Sequence, residues 1–229
     1  ENLYKAIEKS GCNLSISSYS IFFNEQDLGS MQNETNAVDD KEIETVSSSE
    51  CLKRMLYTRG TDVNAWGKLY KKSLFDGIRF PVGKLYEDIP VSYKIVDKCK
   101  NVAVIPNKDY LYFQRPDSIQ NSKFKVAKLD AVEHMRELLY FVKERYPEVL
   151  KAANCRYFSV LCNVLFQIND KNYDSIKKEL WYEVKKYRKG ILHDSEARKK
   201  AKYAALISYF GYDFLKFVYS KTQYRGRKK

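Results

Sequence analysis

Two adjacent carboxylates, Glu87 and Asp88, are the side chains best suited to acid–base chemistry in this sequence. They end the stretch FPVGKLYED, residues 80–88, and precede Ile89 and Pro90. A carboxylate within hydrogen-bond reach of a hydroxyl can take its proton while that hydroxyl attacks an electrophile. Adjacent acidic residues on a loop are more often solvated surface, so the case for chemistry depends on the elements around the pair.

Composition indicates a globular protein with an unusually basic C-terminal part. The 229 residues are 44% hydrophobic and carry a net charge of +12, enough apolar content for one large or two small domains. Residues 1–50 contain three lysines against ten acidic residues, whereas residues 171–229 contain 17 basic against six acidic residues. Such a basic region predicts contact with a polyanion: nucleic acid, an anionic membrane surface or an acidic substrate.

The cysteines and the hydropathy pattern favour a reducing compartment. Five cysteines occur with no Cys-x-x-Cys spacing, which argues against a zinc site and against a disulfide framework. No apolar run approaches the roughly 20 residues that span a bilayer, and the first residues do not resemble a signal peptide. These patterns predict a cytoplasmic protein.

The first half of the chain predicts mixed α/β structure. Gly11 ends a short helix, and the following strand has an alternation that slips once. Ser47-Ser48-Ser49-Glu50 fits a capping box that begins a helix. The predicted elements are a helix over 1–10, a strand over 14–23, a loop or irregular hairpin over 24–46, a helix after 50, a strand–turn–helix piece over 63–74, a helix over 91–96, and strands over 102–106 and 110–114.

The second half has helical periodicity throughout. Residues 149–168 are apolar nearly all round, which predicts the buried centre of a bundle. Gly190 is expected to stop the helix that begins near Asn172, and Asp194 or Ser195 to cap one last long helix. That last helix is expected to face inward with Ala201, Ala204, Ile207, Phe210, Phe214 and Phe217. The predicted organisation is therefore an α/β domain over 1–122, with a mixed sheet, and an all-α extension over 123–229.

Three stretches, in order, resemble a known family. They are WGKLYK at 66–71, FPVGKLYED at 80–88 and, after Ile105-Pro106, YLYFQRPDSI at 110–119. Together they are similar to the C-terminal half of the catalytic domain in bacterial family-2 glycosyltransferases of the GT-A fold, which build capsules and other cell-surface polysaccharides. The resemblance implies an inverting transfer of a sugar from a nucleotide-sugar donor to a glycan or lipid-linked acceptor.

The resemblance also implies roles for individual residues. Asp88 would be the catalytic base, with Glu87 orienting the loop or binding acceptor hydroxyls. Gly83 would let the backbone pass close to the substrate, and Trp66 would offer an apolar face to a sugar ring. The remaining substrate-binding residues would be Lys68 and, at the donor diphosphate, Arg115 and Ser118.

The sequence departs from the family pattern at its front. The aspartate-x-aspartate motif, which holds Mg²⁺ or Mn²⁺ against the diphosphate in complete family members, is absent, and Asp39-Asp40 lies in a polar loop that does not replace it. The chain thus resembles a domain that lacks its nucleotide-binding half. We expect Mg²⁺ or Mn²⁺ in the complete enzyme, and we expect these residues alone to bind a nucleotide-sugar poorly and to turn over little.

Two alternatives stay open at the level of sequence. The chain could be a basic, tyrosine-rich helical module that binds nucleic acid or another polyanion, although the spacing of its tyrosines favours core positions and so disfavours nucleic acid. Residues 171–229 could instead meet an anionic membrane surface, or simply form a solvated basic face. A homo-oligomer is compatible with either. His134 and His193 lack a partnering motif and are predicted to be structural or surface residues.

Overall fold

The computed structural model describes residues 1–24, 37–115 and 123–226, with side chains described as far as residue 221. The chain divides into two compact units, Glu1–Lys123 and Phe124–Lys229. The first is α/β and the second is helical, as the sequence predicts for the fold class. The elements of the first unit are α1 (Asn2–Ser10), β1 (Leu14–Phe22), β2 (Glu44–Ser47), α2 (Ser48–Tyr57), β3 (Lys68–Tyr70), α3 (Ile89–Asp97) and β4 (Asn101–Phe113).

The first unit is built on a four-stranded mixed sheet with the strand order β2-β4-β1-β3. The two central strands, β1 and β4, are parallel, whereas β2 and β3 are antiparallel to their neighbours. Helix α1 contributes Ala6 to a buried cluster with Ala103 and Ile105 of β4. Gly11 ends this helix at φ 68°, in the left-handed conformation that glycine adopts without steric cost, as predicted.

The long strand β4 corrects the prediction of two separate strands. Pro106 has no N–H to donate to a ladder, and the β1–β4 register shifts at this point, between Ser17 and Tyr19 of β1. Pairing then resumes from Tyr19 opposite Tyr110 to Phe22 opposite Phe113. The chain therefore forms one irregular strand across a segment that the sequence pattern divided in two. The predicted slip in β1 coincides with this shift.

The capping prediction for α2 is confirmed in part. The Ser47 hydroxyl accepts a hydrogen bond of 3.2 Å from the N–H of Glu50, as in a capping box. The Glu50 carboxylate accepts from the guanidinium of Arg54 at 2.8 Å, an ion pair one turn further along the helix. The predicted loop or hairpin over 24–46 is described only in part. Its described C-terminal end contains a 3₁₀ turn, Asp40–Glu42, and the start of β2.

The second unit contains five helices in its described residues. They are α4 (Asp130–Arg145), α5 (Leu150–Gln167), α6 (Asp174–His193), α7 (Lys199–Ile207) and α8 (Tyr212–Gly226). The sequence correctly predicts α5 as the central element, because both its neighbours α4 and α6 pack on it and most of its side chains are buried. The prediction that Gly190 stops α6 is wrong, since the helix continues through Gly190 to His193.

The last predicted helix is also corrected. It is broken into α7 and α8 by a 3₁₀ turn, Ser208–Phe210, followed by Gly211 at φ 102°, a conformation that favours glycine. The prediction that Phe210, Phe214 and Phe217 face inward is wrong, because all three are exposed. The 3₁₀ turn and Gly211 interrupt the helix, so the periodicity of one continuous helix does not apply across them.

Candidate active site

Asp88 lies at the start of α3, where the loop after β3 enters the helix. Its main-chain carbonyl accepts the first hydrogen bond of the helix, from the N–H of Ser92 at 2.9 Å. Pro90 stands in the first turn, where its missing N–H costs nothing and its fixed φ suits the helix. The Asp88 side chain is half-buried, and that of the adjacent Glu87 is exposed. The helix start thus holds one of the two predicted carboxylates partly out of water.

The electrostatic surroundings of Asp88 favour its protonated form. Burial, together with the negative charges of Glu87 and Asp62, raises the pKa of Asp88 to about 6. A carboxyl group with a pKa near neutrality is well matched to proton transfer, because it is ionised yet still basic at physiological pH. Like-charged neighbours around a half-buried carboxyl are a common arrangement at sites of acid–base catalysis.

A buried hydroxyl joins Asp88 to the loop that precedes β3. Ser92, one turn into α3, donates from Oγ to the carbonyl of Asp88 at 2.8 Å and to the carbonyl of Val63. Val63 belongs to the loop of residues 60–67, which ends in Trp66 and Gly67. The start of α3, which carries Asp88, is therefore fixed to the loop that carries Trp66. Nothing in the sequence pattern pointed to Ser92 beyond its place in an apolar helix.

Trp66 stacks on tyrosines of β4. Its ring centroid lies 4.3 Å from that of Tyr110 and 5.1 Å from that of Tyr112, with interplanar angles of 11° and 17°. Tyr19 of β1 meets the same indole edge-on at 4.8 Å. All four side chains are only half-buried, so the cluster is an aromatic surface at the sheet and not part of the closed core. Such rigid amphipathic rings suit a contact with a partly apolar ligand.

Gly67 holds the Trp66 loop against strand β1. It has φ 67°, and its carbonyl accepts from both the N–H and the hydroxyl of Ser17 at 3.0 and 3.2 Å. A Cβ at this position would lie 3.6 Å from Ser17 and from Tyr110. The glycine therefore anchors the loop at the irregularity between β1 and β4, which places Trp66 over the tyrosines that follow it.

The Lys68 ammonium donates hydrogen bonds to the loop that precedes β3. Its Nζ donates to the carbonyl and the side-chain oxygen of Asn64, both at 2.6 Å, and lies 3.4 Å from the carbonyl of Trp66. Burial lowers the pKa of Lys68 to about 8, against the opposing effect of the negative charges of Asp62 and Asp88. The ammonium thus braces the segment that carries Trp66. Its predicted contact with a substrate stays a prediction.

Two further residues of the site were not singled out by the sequence. Asp62 accepts from the N–H of Val63 at 2.7 Å and contributes negative charge to the environment of Asp88. The Tyr70 hydroxyl donates to the carbonyl of Ala65 at 3.0 Å, and burial together with Asp88 raises its pKa above the ordinary value. Asp62 lies outside the three stretches that carry the family resemblance, and Tyr70 lies in one of them, WGKLYK, without a predicted role.

The other predicted site residues lie on exposed segments. Gly83 has φ 76° in the loop before Asp88, and nothing lies within 4 Å of where its Cβ would stand. Tyr86, three residues on, is one of two non-glycine residues with positive φ in the described part of the chain. Arg115 is exposed just after β4. Ser118 lies outside the described residues, so its predicted role beside Arg115 stays a prediction.

The described residues hold no obvious metal centre. No group of three His, Cys, Asp or Glu side chains among them could hold a metal ion. The five cysteines are buried free thiols. The expected Mg²⁺ or Mn²⁺ therefore has no matching set of ligands in residues 1–24, 37–115 and 123–226.

Comparison with known proteins gives one informative relationship. No family model matches the chain. Over 143 residues the chain is 28% identical to the glycosyltransferase GlyA of Streptococcus pneumoniae serotype 4 (strain ATCC BAA-334 / TIGR4), a match that covers 61% of this chain and 20% of the relative. The chain thus spans about a fifth of the length of that relative. This distant similarity supports a glycosyltransferase relationship at the coarse level of transferase chemistry.

Proposed function

We propose that this chain forms part of an inverting glycosyltransferase, in which the first unit supplies the acceptor side of the active site and Asp88 is the catalytic base. The observation that carries the proposal is the half-buried Asp88 carboxyl beside Glu87, at the start of a helix that the Ser92 hydroxyl ties to the loop of Trp66. The similarity to a glycosyltransferase supports the class of reaction. The donor would be a nucleotide-sugar of the family-2, GT-A type used in cell-surface polysaccharide synthesis.

The proposed reaction uses the Asp88 carboxylate and needs no other group of this chain to take the proton. An acceptor hydroxyl oxygen attacks the anomeric carbon of the donor sugar and passes its proton to a carboxylate oxygen of Asp88. The bond from the anomeric carbon to the diphosphate breaks, and the nucleoside diphosphate leaves with the electron pair. Attack opposite to the leaving group inverts the configuration. General-base assistance of this kind contributes about 10²–10⁴-fold to a rate.

The aromatic surface would bind the acceptor. Trp66 and Tyr112 offer half-buried rings to the apolar face of a sugar, while Glu87 is exposed and available to acceptor hydroxyls. Gly83 has open space beside its Cα, so the loop can lie against a ligand there. Arg115, with Ser118, would neutralise the donor diphosphate.

The proposal is tested by measuring glycosyl transfer by the full-length gene product that contains these residues. We expect Asp88→Asn to lower kcat by about 10²-fold or more, as for loss of a general base. Glu87→Gln, the matched change at the neighbouring exposed carboxylate, should have a much smaller effect on kcat. Equal activity of wild type and Asp88→Asn would exclude Asp88 as the base.

A binding experiment separates the acceptor site from turnover. The chain contains two tryptophans, Trp66 and Trp181, so Trp181→Phe leaves Trp66 as its one tryptophan fluorophore. We expect oligosaccharide acceptors to change Trp66 emission in this variant, and to leave the emission of Trp66→Phe unchanged. A response that remains in Trp66→Phe would place carbohydrate binding elsewhere.

The alternative of a polyanion-binding module finds support in charge alone. Residues 171–229 carry 17 basic and six acidic residues, all of them in the second unit. Salt-sensitive retention on heparin, together with unchanged glycan synthesis in cells that carry Asp88→Asn, would favour it over the enzyme.

A further inference from the structure

An exposed ridge of large apolar side chains runs along the end of the second unit. We define this aromatic ridge as Tyr203, Leu206, Phe210, Phe214 and Phe217, which are 64%, 52%, 73%, 47% and 56% exposed. Tyr203 and Leu206 lie on α7, Phe210 in the 3₁₀ turn, and Phe214 and Phe217 on α8. The rings of Phe210 and Phe214 meet at 5.7 Å across Gly211, so the ridge continues past the break between the helices.

The ridge is separate from the surface that packs these helices on the rest of the unit. Ala201, Ala205 and Leu215 are buried and serve that packing. A helix that exposes polar residues opposite its buried face needs no partner, but here the exposed face carries three phenylalanines. Large apolar side chains grouped on an exposed face mark a site where a protein associates with a partner or a membrane.

The residues around the ridge are basic. Lys199 and Lys200 are exposed one turn before Tyr203, and the Lys221 ammonium lies 5.6 Å from the ring of Phe217 at the other end. From Lys199 to Lys221, both included, the sequence contains five lysines and one acidic residue, Asp213. The ridge is thus apolar along its crest and positively charged at both ends, which complements an anionic and partly apolar partner.

We propose that the aromatic ridge docks the second unit on the surface of an anionic lipid bilayer. Phenylalanine and leucine side chains enter the boundary between headgroups and acyl chains, tyrosine rings lie at the headgroup level, and lysines contact lipid phosphates. Such segments lie in the plane of the interface. No helix of the described residues is long and apolar enough to cross a membrane.

The same surface is poorly arranged for stacking on nucleic-acid bases. The two tyrosines beside the ridge are already covered by cations of the protein: the Arg188 guanidinium lies 3.8 Å from the centre of the Tyr209 ring, and Lys177 lies 4.9 Å from that of Tyr212. Base stacking requires open ring faces with basic groups free for phosphates. The ridge itself includes the aliphatic Leu206, which offers no ring to stack on.

Vesicle flotation tests the docking surface directly. We expect the purified chain to float with vesicles of phosphatidylcholine and phosphatidylglycerol and to bind pure phosphatidylcholine much less. Phe210→Ser/Phe214→Ser should lower the partition coefficient at least about tenfold, because it removes the apolar crest. Lys199→Glu/Lys200→Glu should lower it by at least about tenfold at low salt and less at high salt.

A matched exposed aromatic provides the control. Tyr140 on α4 is 63% exposed and lies outside the ridge, so Tyr140→Ser should float as wild type does. Circular dichroism and melting temperature establish that each variant is folded, and the lysine variant, which alters only exposed side chains, tests the proposal even if the phenylalanine variant does not fold.

Three results would overturn the proposal. The first is equal flotation of wild type and folded Phe210→Ser/Phe214→Ser. The second is absence of flotation by wild type together with ridge-dependent binding of single-stranded RNA. The third is a wild-type dimer in light scattering that the phenylalanine variant converts to a monomer, again without lipid binding, which would identify a second copy of the chain as the occupant.

Discussion

The Ser92 hydroxyl donates a hydrogen bond of 2.8 Å to the main-chain carbonyl of Asp88, which also accepts the N–H of Ser92 at 2.9 Å. The same hydroxyl reaches the carbonyl of Val63. One small buried side chain therefore connects the start of α3, where Asp88 stands, to the loop that carries Trp66. We assign Ser92 a positioning role, because it acts on the site through Asp88 and Val63.

Replacing Ser92 should loosen this connection. Ser92→Ala leaves the buried Val63 carbonyl without the hydroxyl donor, so we expect a loss of about 1–2 kcal/mol in the free energy of unfolding. In the full-length gene product we also expect kcat to fall while KM changes little. Ser220→Ala, which removes an exposed hydroxyl that donates to Phe217 at 2.7 Å, is the control and should change neither quantity. Wild-type stability and kcat in Ser92→Ala would contradict the positioning role.

The pH dependence of stability should report on Asp88. Its folded pKa of about 6 lies above the ordinary value of 3.8, so ionisation is disfavoured in the folded protein. The contribution of this carboxyl to stability is therefore fully present below about pH 4 and is lost as the pH rises through 6. We expect wild type to become less stable relative to Asp88→Asn across that window, measured by urea unfolding at a series of pH values.

The Asp88 carboxyl should also determine how kcat/KM falls at acid pH. A base must be deprotonated to act, so kcat/KM of the full-length gene product should rise with an apparent pKa of about 6, the value to which burial and the charges of Glu87 and Asp62 raise the pKa of Asp88. Carboxyl titration by ¹³C NMR measures the pKa of Asp88 independently of activity. A measured value near that of an ordinary solvated aspartate would remove the electrostatic argument for this residue.

Trp66 should stabilise the first unit as well as bind ligand. It contacts three tyrosine rings, two of them stacked within 5.1 Å, and aromatic pairs contribute beyond their buried area. We expect Trp66→Ala to cost about 2–4 kcal/mol in urea unfolding followed by near-UV circular dichroism, and Trp66→Phe to cost less. Trp181→Ala is the comparison, because its ring makes one edge contact, with Tyr212 at 5.9 Å. Equal losses at the two positions would show that the stacked cluster adds nothing.

Gly190 offers a test of the corrected helix boundary. It lies inside α6, and no atom stands within 4 Å of where its Cβ would be. Gly190→Ala should therefore raise the melting temperature, through about 0.5–1 kcal/mol of added stability, since alanine loses less conformational freedom in a helix. Gly211→Ala, at φ 102° in the turn after α7, should lower it. Destabilisation by Gly190→Ala would mean that the helix ends where the sequence pattern placed its stop.

The predictions were correct where the structure depends on residues that are neighbours in the sequence. Gly11 ends α1, Ser47 caps α2, and the apolar run of α5 is buried as predicted. The slip of alternation in β1 marks the register shift opposite Pro106. Predictions failed where distant parts of the chain decide: the pairing of β1 joins two predicted strands into β4, and Gly190 is held within a helix by the packing of α6 on its neighbours.

By itself, the sequence determined the fold class and the candidate residues, because helix periodicity, glycine positions and the order of motifs are encoded along the chain. Only the tertiary structure decided which of these residues share one environment. The charge of Asp62 acts on both Asp88 and Lys68, and Ser92 joins segments 29 residues apart. The tertiary structure also decided that Phe210, Phe214 and Phe217 face outward. The 3₁₀ turn and Gly211 interrupt the helix that the sequence pattern continues through these residues.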